Sequence, residues 1–342
     1  MQMRSILVAL FLCQGTSGFG RSTPDLILTG KASINTMRIL PLHMLTGNNT
    51  HELNFLPDDS TTPYDQTAVG SREIVLKVAL GSMMSVAVAA KAGILPIPSG
   101  FEYTDDLIAR DLESALLGGA LGYLFVKVVT LLATNGTLEP RDSRKLIHTL
   151  SAPLYMMIWP LFTPGGRFFA ACVPLVNAIR LYLAANGDSG ESELANAVSR
   201  SGDTKEALGG PFLYVLVLLA AICLFWRENL IGVTALCTMA AGDGMADLVG
   251  RRFGNGNKWF FAESKSMAGS LAFWVSAFLC TTGIVAWLSF TGCLMLPFAM
   301  SELVLRIALI TAACAMIELL PLGDDNWTVP LSAAILAAIF LQ

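Results

Sequence analysis

Long apolar runs separated by short polar breaks dominate the chain from Ile74 onward, and their lengths match what an α-helix needs to cross a hydrocarbon layer. The pattern predicts helical spans at 74–95, 112–134, 146–162, 167–186, 211–226, 229–249, 267–290, 301–320 and 327–342. Lys77 and Lys91 interrupt the first, and the break at Arg227-Glu228-Asn229 is tight. No internal repeat is visible, and no strand-like alternation runs long enough for a barrel. The expected fold is therefore an all-α, polytopic membrane bundle of about eight to nine transmembrane helices.

Composition supports a bilayer over water. Apolar residues make up 54% of the 342 positions, charged residues only 14%, and mean hydropathy is +0.60. Soluble domains carry about 25% charge. The net charge of −4 and the absence of a basic tract argue against a nucleic-acid partner. Seven scattered cysteines with no CxxC pair read as small hydrophobes, not as disulfides or zinc ligands.

The charges that remain are unevenly shared between alternate loops. Loops 135–145, 187–210, 250–266 and 321–326 hold Arg141, Arg144, Lys145, Arg200, Lys205, Arg251, Arg252, Lys258 and Lys265. The opposite loops hold only Arg110 and Arg227, with Arg167 at a helix edge. By the positive-inside rule the basic side should face cytosol or stroma, where nucleotides are found.

The N-terminal region reads differently. Arg4, the apolar run Ile6–Cys13 and the small residues after it form a signal-peptide pattern over 1–18. Residues 19–69 open with a stretch, Phe19–Thr50, that holds seven Ser or Thr and three basic residues against Asp25 alone, as in a transit peptide. Together they resemble the bipartite presequences of algae with secondary plastids, in which Phe follows the cleavage site; here Gly18 stands before Phe19 in place of the more usual Ala. A plain secretory signal followed by a propeptide is the competing reading. The folded domain is expected over 70–342.

Candidate chemistry gathers where the span 229–249 leaves the membrane. Asp243 and Asp247 share a helical face at i, i+4, and each would cost about 2.5–3.5 kcal/mol at a helix centre unless it met a cation or the interface. A Mg²⁺ ion bridging nucleotide phosphates answers that cost; pairing with Arg251 or Arg252 is the plainer answer. Gly250, Gly254 and Gly256 would let backbone amides approach an anion. Arg251 and Arg252 offer planar donors to phosphate, and Lys258 and Lys265 offer compact charges. Ser266 suits either a phosphate contact or the cap of the next helix, and Gly269 suits close helix packing. On the same side lie Arg144, Lys145 and His148, then Asn177 and Arg180 inside an apolar span, Glu318, and Asp324-Asp325-Asn326. Each has a plain reading as snorkelling base, helix–helix polar contact or solvated turn. No Walker lysine loop, Gly-x-Ser-x-Gly or His-Glu-x-x-His occurs.

These residues carry a family resemblance. Arg144-Lys145-Leu146-Ile147-His148, Asn177 with Arg180, Gly242-Asp243-Gly244-Met245-Ala246-Asp247 through Gly254, Lys265-Ser266-Met267-Ala268-Gly269, Glu318 and Asp324-Asp325-Asn326 resemble phytol and farnesol kinases, in the polyprenol kinase group with the more distant dolichol kinases. The likeness covers roughly 140–342; Met267 stands where a bulkier residue is common. The resemblance implies transfer of a nucleotide γ-phosphoryl group, often from CTP, to a long isoprenoid alcohol such as phytol, farnesol or geranylgeraniol. It implies a plastid membrane location and a product, phytyl phosphate, that feeds tocopherol synthesis. In that scheme Mg²⁺ sits on Asp243 and Asp247, the basic loop neutralises phosphate charge, and Asp247 or His148 deprotonates or orients the hydroxyl. An ion-coupled transporter using Asp243, Asn177 and Arg180 is the alternative from another class.

Overall fold

The computed structural model describes residues 66–187, 194, 197, 204–321 and 323–342. The signal-peptide region and nearly all of the transit-like stretch lie outside the described residues, as does Arg200. The chain is helical almost throughout: α1 (Gln66–Lys91), α2 (Asp105–Thr134), α3 (Pro140–Met157), α4 (Arg167–Ala185), α5 (Gly210–Phe225) and α6 (Leu230–Cys237). A π-helical turn (Thr238–Asp243) joins α6 directly to α7 (Gly244–Phe253). A two-stranded antiparallel hairpin, β1 (Lys258–Trp259) and β2 (Ala262–Ser266), leads into α8 (Met267–Phe290), α9 (Met300–Ile317) and α10 (Asp325–Phe340).

Six of the described helical stretches are long and apolar enough to cross a membrane: Glu73–Lys91, Asp105–Thr134, Arg167–Ala185, Lys205–Phe225, Met267–Phe290 and Met300–Ile317. Asp325–Phe340 is a shorter apolar helix. The expected helices all exist, but eight to nine crossings are not confirmed. The reason lies in two of the apolar runs. The run at 146–162 becomes α3, which starts at Pro140 with a charged first turn, followed by a 3₁₀ turn at Trp159–Leu161. The run at 229–249 is divided by the π turn, and its last third is the amphipathic α7.

α6 and the π turn form the axis of the bundle. Every residue from Leu230 to Gly242 is buried, and α3, α5, α8 and α10 pack around them. Outer helices turn leucines and other large apolar side chains outward, including Leu131 and Leu132 of α2 and Leu305 and Leu309 of α9, as lipid contact demands. Pro153, Pro174 and Pro330 lie inside helices, which is tolerated where neighbours satisfy the freed carbonyls.

The polar residues collect at the two ends. At one end Asp111, fully buried, accepts bonds from Thr163 N (2.7 Å), Thr163 Oγ1 (2.6 Å) and Tyr103 OH (2.8 Å). There too Arg227 donates to Trp159 O and Phe162 O, and Arg110 to Leu161 O. These loops, the ones poor in basic residues, are thus tied together by satisfying buried carbonyls and one carboxylate. The basic loops meet at the other end, where the candidate site lies.

Candidate active site

The site is built where α3, the π turn and α7 bring charged faces together. α3 and α7 are the two strongly one-sided helices among those described, and they pack against each other. Gly244 makes the approach possible: a Cβ there would lie 1.9 Å from Thr149 Oγ1 and 3.2 Å from Thr149 Cα. The π turn adds backbone just before Asp243 and so sets the face on which both Asp243 and Asp247 emerge; such turns recur at functional sites.

Asp243 lies at the junction. Lys145 Nζ donates to its Oδ2 at 2.8 Å, and His148 Nε2 lies 3.1 Å from the same oxygen, out of line for a good hydrogen bond. The His148 ring rests on Tyr214 with centroids 4.6 Å apart, and the Tyr214 hydroxyl accepts from Ala152 N. Asp247 is held by Arg251 Nε at 3.0 Å and approached by Arg141 at 3.8 Å.

Two cavities share this junction. One, about 950 Å³ and mostly apolar, is walled by α2, α3, α4 and α5, with Leu121, Leu124, Ile147, Leu154, Ile158 and Val215 in its lining. Its polar end holds His148, Asn177, Arg180 and Asn326. The other, about 410 Å³, is polar and is lined by Arg141, Arg144, Lys145, Asp247, Gly250, Arg251, Lys258, Lys265, Ser266, Gly269, Glu318 and Asp325. Asp243, Lys145 and Arg144 line both. In the polar cavity basic side chains outnumber acidic ones six to four, so it favours an anion even with its carboxylates ionised.

Lys145, Arg251 and Lys265 are each held by carboxylates. Lys265 donates to Glu318 and, at 2.8 Å, to Asp325. Burial works against the Lys265 ammonium, but the bonds from Asp325 and Glu318 outweigh it and raise its pKa above the ordinary value. Burial dominates at Glu318 and raises its pKa, with Lys265 opposing. Asp142, absent from the candidates read off the sequence, takes Arg251 at 2.8 Å and also Arg252. Burial disfavours its carboxylate, yet the two guanidinium groups prevail and hold its pKa below the ordinary value. A lone acid among Arg141, Arg144 and Lys145 was the available signal for it.

The other candidates fall into place around this core. Arg252 pairs with Asp142, while Lys258 lines the polar cavity from β1. Ser266 Oγ caps α8 by accepting from Gly269 N at 3.1 Å. Gly250 and Gly269 sit where α7 meets α8, and a Cβ on Gly254 would lie 2.2 Å from Gly250 O. The loop at 250–266 is thus a helix end followed by a hairpin. Asp324 caps α10, accepting from Asn326 N at 2.9 Å and Asn326 Nδ2 at 2.8 Å.

Among the described residues no group of three or more His, Cys, Asp or Glu is placed to hold a metal unaided. Asp243 and Asp247 do offer hard oxygen donors into the cavity that suits phosphate. That donor set fits Mg²⁺, which takes one or two carboxylates and completes its shell with phosphate and water.

The fold is that of a polytopic helical membrane protein in which an apolar and a basic cavity meet at one junction. The chain is 40% identical over 227 residues to a probable phytol kinase 1, chloroplastic, of Glycine max, covering 65% of this chain and 74% of that one. It is 39% identical over 241 residues to a probable phytol kinase 1, chloroplastic, of Oryza sativa subsp. japonica, with 68% and 74% covered. The phytol kinase 1, chloroplastic, of Arabidopsis thaliana is 38% identical over 229 residues, with 66% and 73% covered. The chain belongs to the phytol kinase family. No family model matches it, and no solved structure does.

Proposed function

We propose that this enzyme transfers the γ-phosphoryl group of a nucleoside triphosphate, CTP in the first place, to the hydroxyl of phytol, giving phytyl phosphate. The observation that carries the reading is the meeting of an apolar and a basic cavity at Asp243, Lys145 and Arg144. An amphiphilic alcohol and a triphosphate need those two environments, sharing a boundary at the reacting oxygen. The names of the relatives supply the alcohol; farnesol and geranylgeraniol are the competing acceptors.

The isoprenoid tail occupies the apolar cavity, with the hydroxyl at its polar end. His148 faces that end, whereas Asp247 faces the polar cavity and is engaged by Arg251. His148 is therefore the residue that orients the hydroxyl, and Tyr214, against which it rests, keeps its ring in place. Lys145, Lys265, Arg144 and Lys258 bind the triphosphate and stabilise charge that builds during transfer. Asp243 and Asp247 would hold Mg²⁺, which when bound offsets charge on the β- and γ-phosphates.

The basic end faces the nucleotide-containing side of a plastid membrane. The chloroplastic relatives support the plastid, and the presequence pattern extends the proposal to a secondary plastid. The product then serves tocopherol synthesis. The test is a membrane assay crossing CTP, UTP, ATP and GTP with phytol, farnesol and geranylgeraniol, reading prenyl phosphate and nucleoside diphosphate. Asp243→Asn should abolish turnover while the protein still inserts; turnover with that variant, or no prenyl phosphate with any pair, overturns the reading.

A further inference from the structure

The tip of the β1–β2 hairpin carries three consecutive aromatic residues, Trp259-Phe260-Phe261, which the chemistry above does not use. Phe260 is 91% exposed and Phe261 51%, the former among the most exposed large apolar side chains of the molecule. The rings form one cluster: Trp259 and Phe261 lie 5.4 Å apart and Phe260 and Phe261 4.9 Å, so neither phenylalanine is folded inward. Such a patch on a water-facing loop needs an occupant.

The hairpin's direction indicates which. Lys258 pairs with Ser266 and Trp259 with Ala262, so the strands rise from the start of α8. Trp259 Nε1 donates at 3.0 Å to Ser270 Oγ, one turn inside α8. The tip is thereby folded back beside the first turn of α8. That helix presents a stripe of exposed apolar residues at every fourth position, Met267, Leu271, Val275 and Leu279, which is its lipid face. The aromatic tip sits at the upper edge of a lipid-facing helix, the level at which aromatic side chains enter the headgroup and acyl boundary.

We propose that Trp259, Phe260 and Phe261 anchor the hairpin in the membrane interface, and that this anchor holds Lys258 and Lys265 at the height of the polar cavity. The strand geometry makes the coupling direct: Lys258 adjoins the tip in β1, and Lys265 lies in β2 and faces Glu318 and Asp325. The anchoring stands apart from the kinase reading; its effect on nucleotide binding rests on that reading.

The experiment places a nitroxide on Phe260→Cys, and separately on Gly256→Cys, in the full chain reconstituted into phosphatidylcholine–phosphatidylglycerol liposomes, with the labelled parent's background subtracted. Gly256 is the water reference, because a Cβ there meets no protein atom within 4 Å and its neighbour Asn255 lines the polar cavity. Position 260 should collide more with oxygen than with a nickel chelate, and position 256 the reverse. Nickel access at 260 equal to that at 256 overturns the proposal. Protection of 260 only when magnesium nucleotide is added also overturns it, assigning the tip to base stacking. Phe260→Asp with Phe261→Asp should raise KM for the nucleotide several-fold and leave KM for the alcohol unchanged, whereas Phe260→Leu with Phe261→Leu should behave as the parent. An unchanged nucleotide KM in the double Asp variant removes the coupling claim. Wild-type protein inactive in every assay would sink the kinase reading while leaving the nitroxide result standing.

Discussion

Replacing Asp142 by Asn puts an amide donor where two guanidinium groups expect a carboxylate. The Asp142 side chain is 9% exposed, so its bond to Arg251 is a sheltered, charge-assisted one, of the kind whose loss costs about 1.5–3 kcal/mol. The Arg252 arm is different: that side chain is 61% exposed, and its pairing is expected to contribute only about 0–1 kcal/mol. Removing one partner of a fully buried pair costs about 3–5 kcal/mol, but Arg251 keeps Asp247 at 3.0 Å, which places the total nearer 2–4 kcal/mol. Thermal unfolding of the detergent-solubilised enzyme should show Tm lower by roughly 5–15 °C. The sign with pH follows from the depressed pKa of Asp142. The wild-type advantage is complete above the unfolded carboxylate value of about 3.9 and disappears as pH falls through the lower folded value. Arg251 also lines the polar cavity, so KM for the nucleotide should rise while KM for the alcohol stays put. Equal Tm and equal nucleotide KM in Asp142→Asn would refute the claim that this carboxylate sets Arg251 in place.

Three other outcomes follow from the geometry. Gly244→Ala drives a methyl into Thr149 and must separate α3 from α7, at about 1–3 kcal/mol and with loss of turnover; adding Thr149→Ala, which removes the nearest atom, should restore part of both, read by Tm and prenyl phosphate formation. The raised pKa of Lys265 means its ion pairs stabilise the fold fully below its ordinary value of 10.5 and cease to as pH rises through the folded value. Lys265→Met should therefore flatten the alkaline limb of an unfolding-versus-pH curve, and an unchanged limb would contradict that assignment. Ser151→Phe fills part of the apolar cavity, so phytol should lose kcat/KM more than farnesol does, with the nucleotide KM unmoved.

Much was legible along the chain because a bilayer imposes a strong code. Hydrocarbon cannot satisfy backbone groups, so apolar stretches of sufficient length become helices, and the helices α1, α2, α4, α5, α8, α9 and α10 lie where apolar runs placed them. Charge asymmetry between loops likewise foretold which residues share one end, since Arg144, Lys145, Lys265 and Asp325 do meet there. Asp243 and Asp247 could be singled out because a carboxylate near an apolar helix needs a reason. Pairing could not be read this way. Asp142 and Arg251 are separated by 109 positions, and Lys265 and Asp325 by 60; only packing brings them together. The π turn that divides the run at 229–249 likewise has no mark in that run's apolar pattern. Nor does any local pattern reveal that a greasy and a basic chamber touch at Asp243, because each wall comes from helices distant in sequence. Composition and periodicity act residue by residue and therefore settle which segments are helices and which side the charges occupy. The partner of each charge, and the shape of the space between helices, exist only once the bundle has closed.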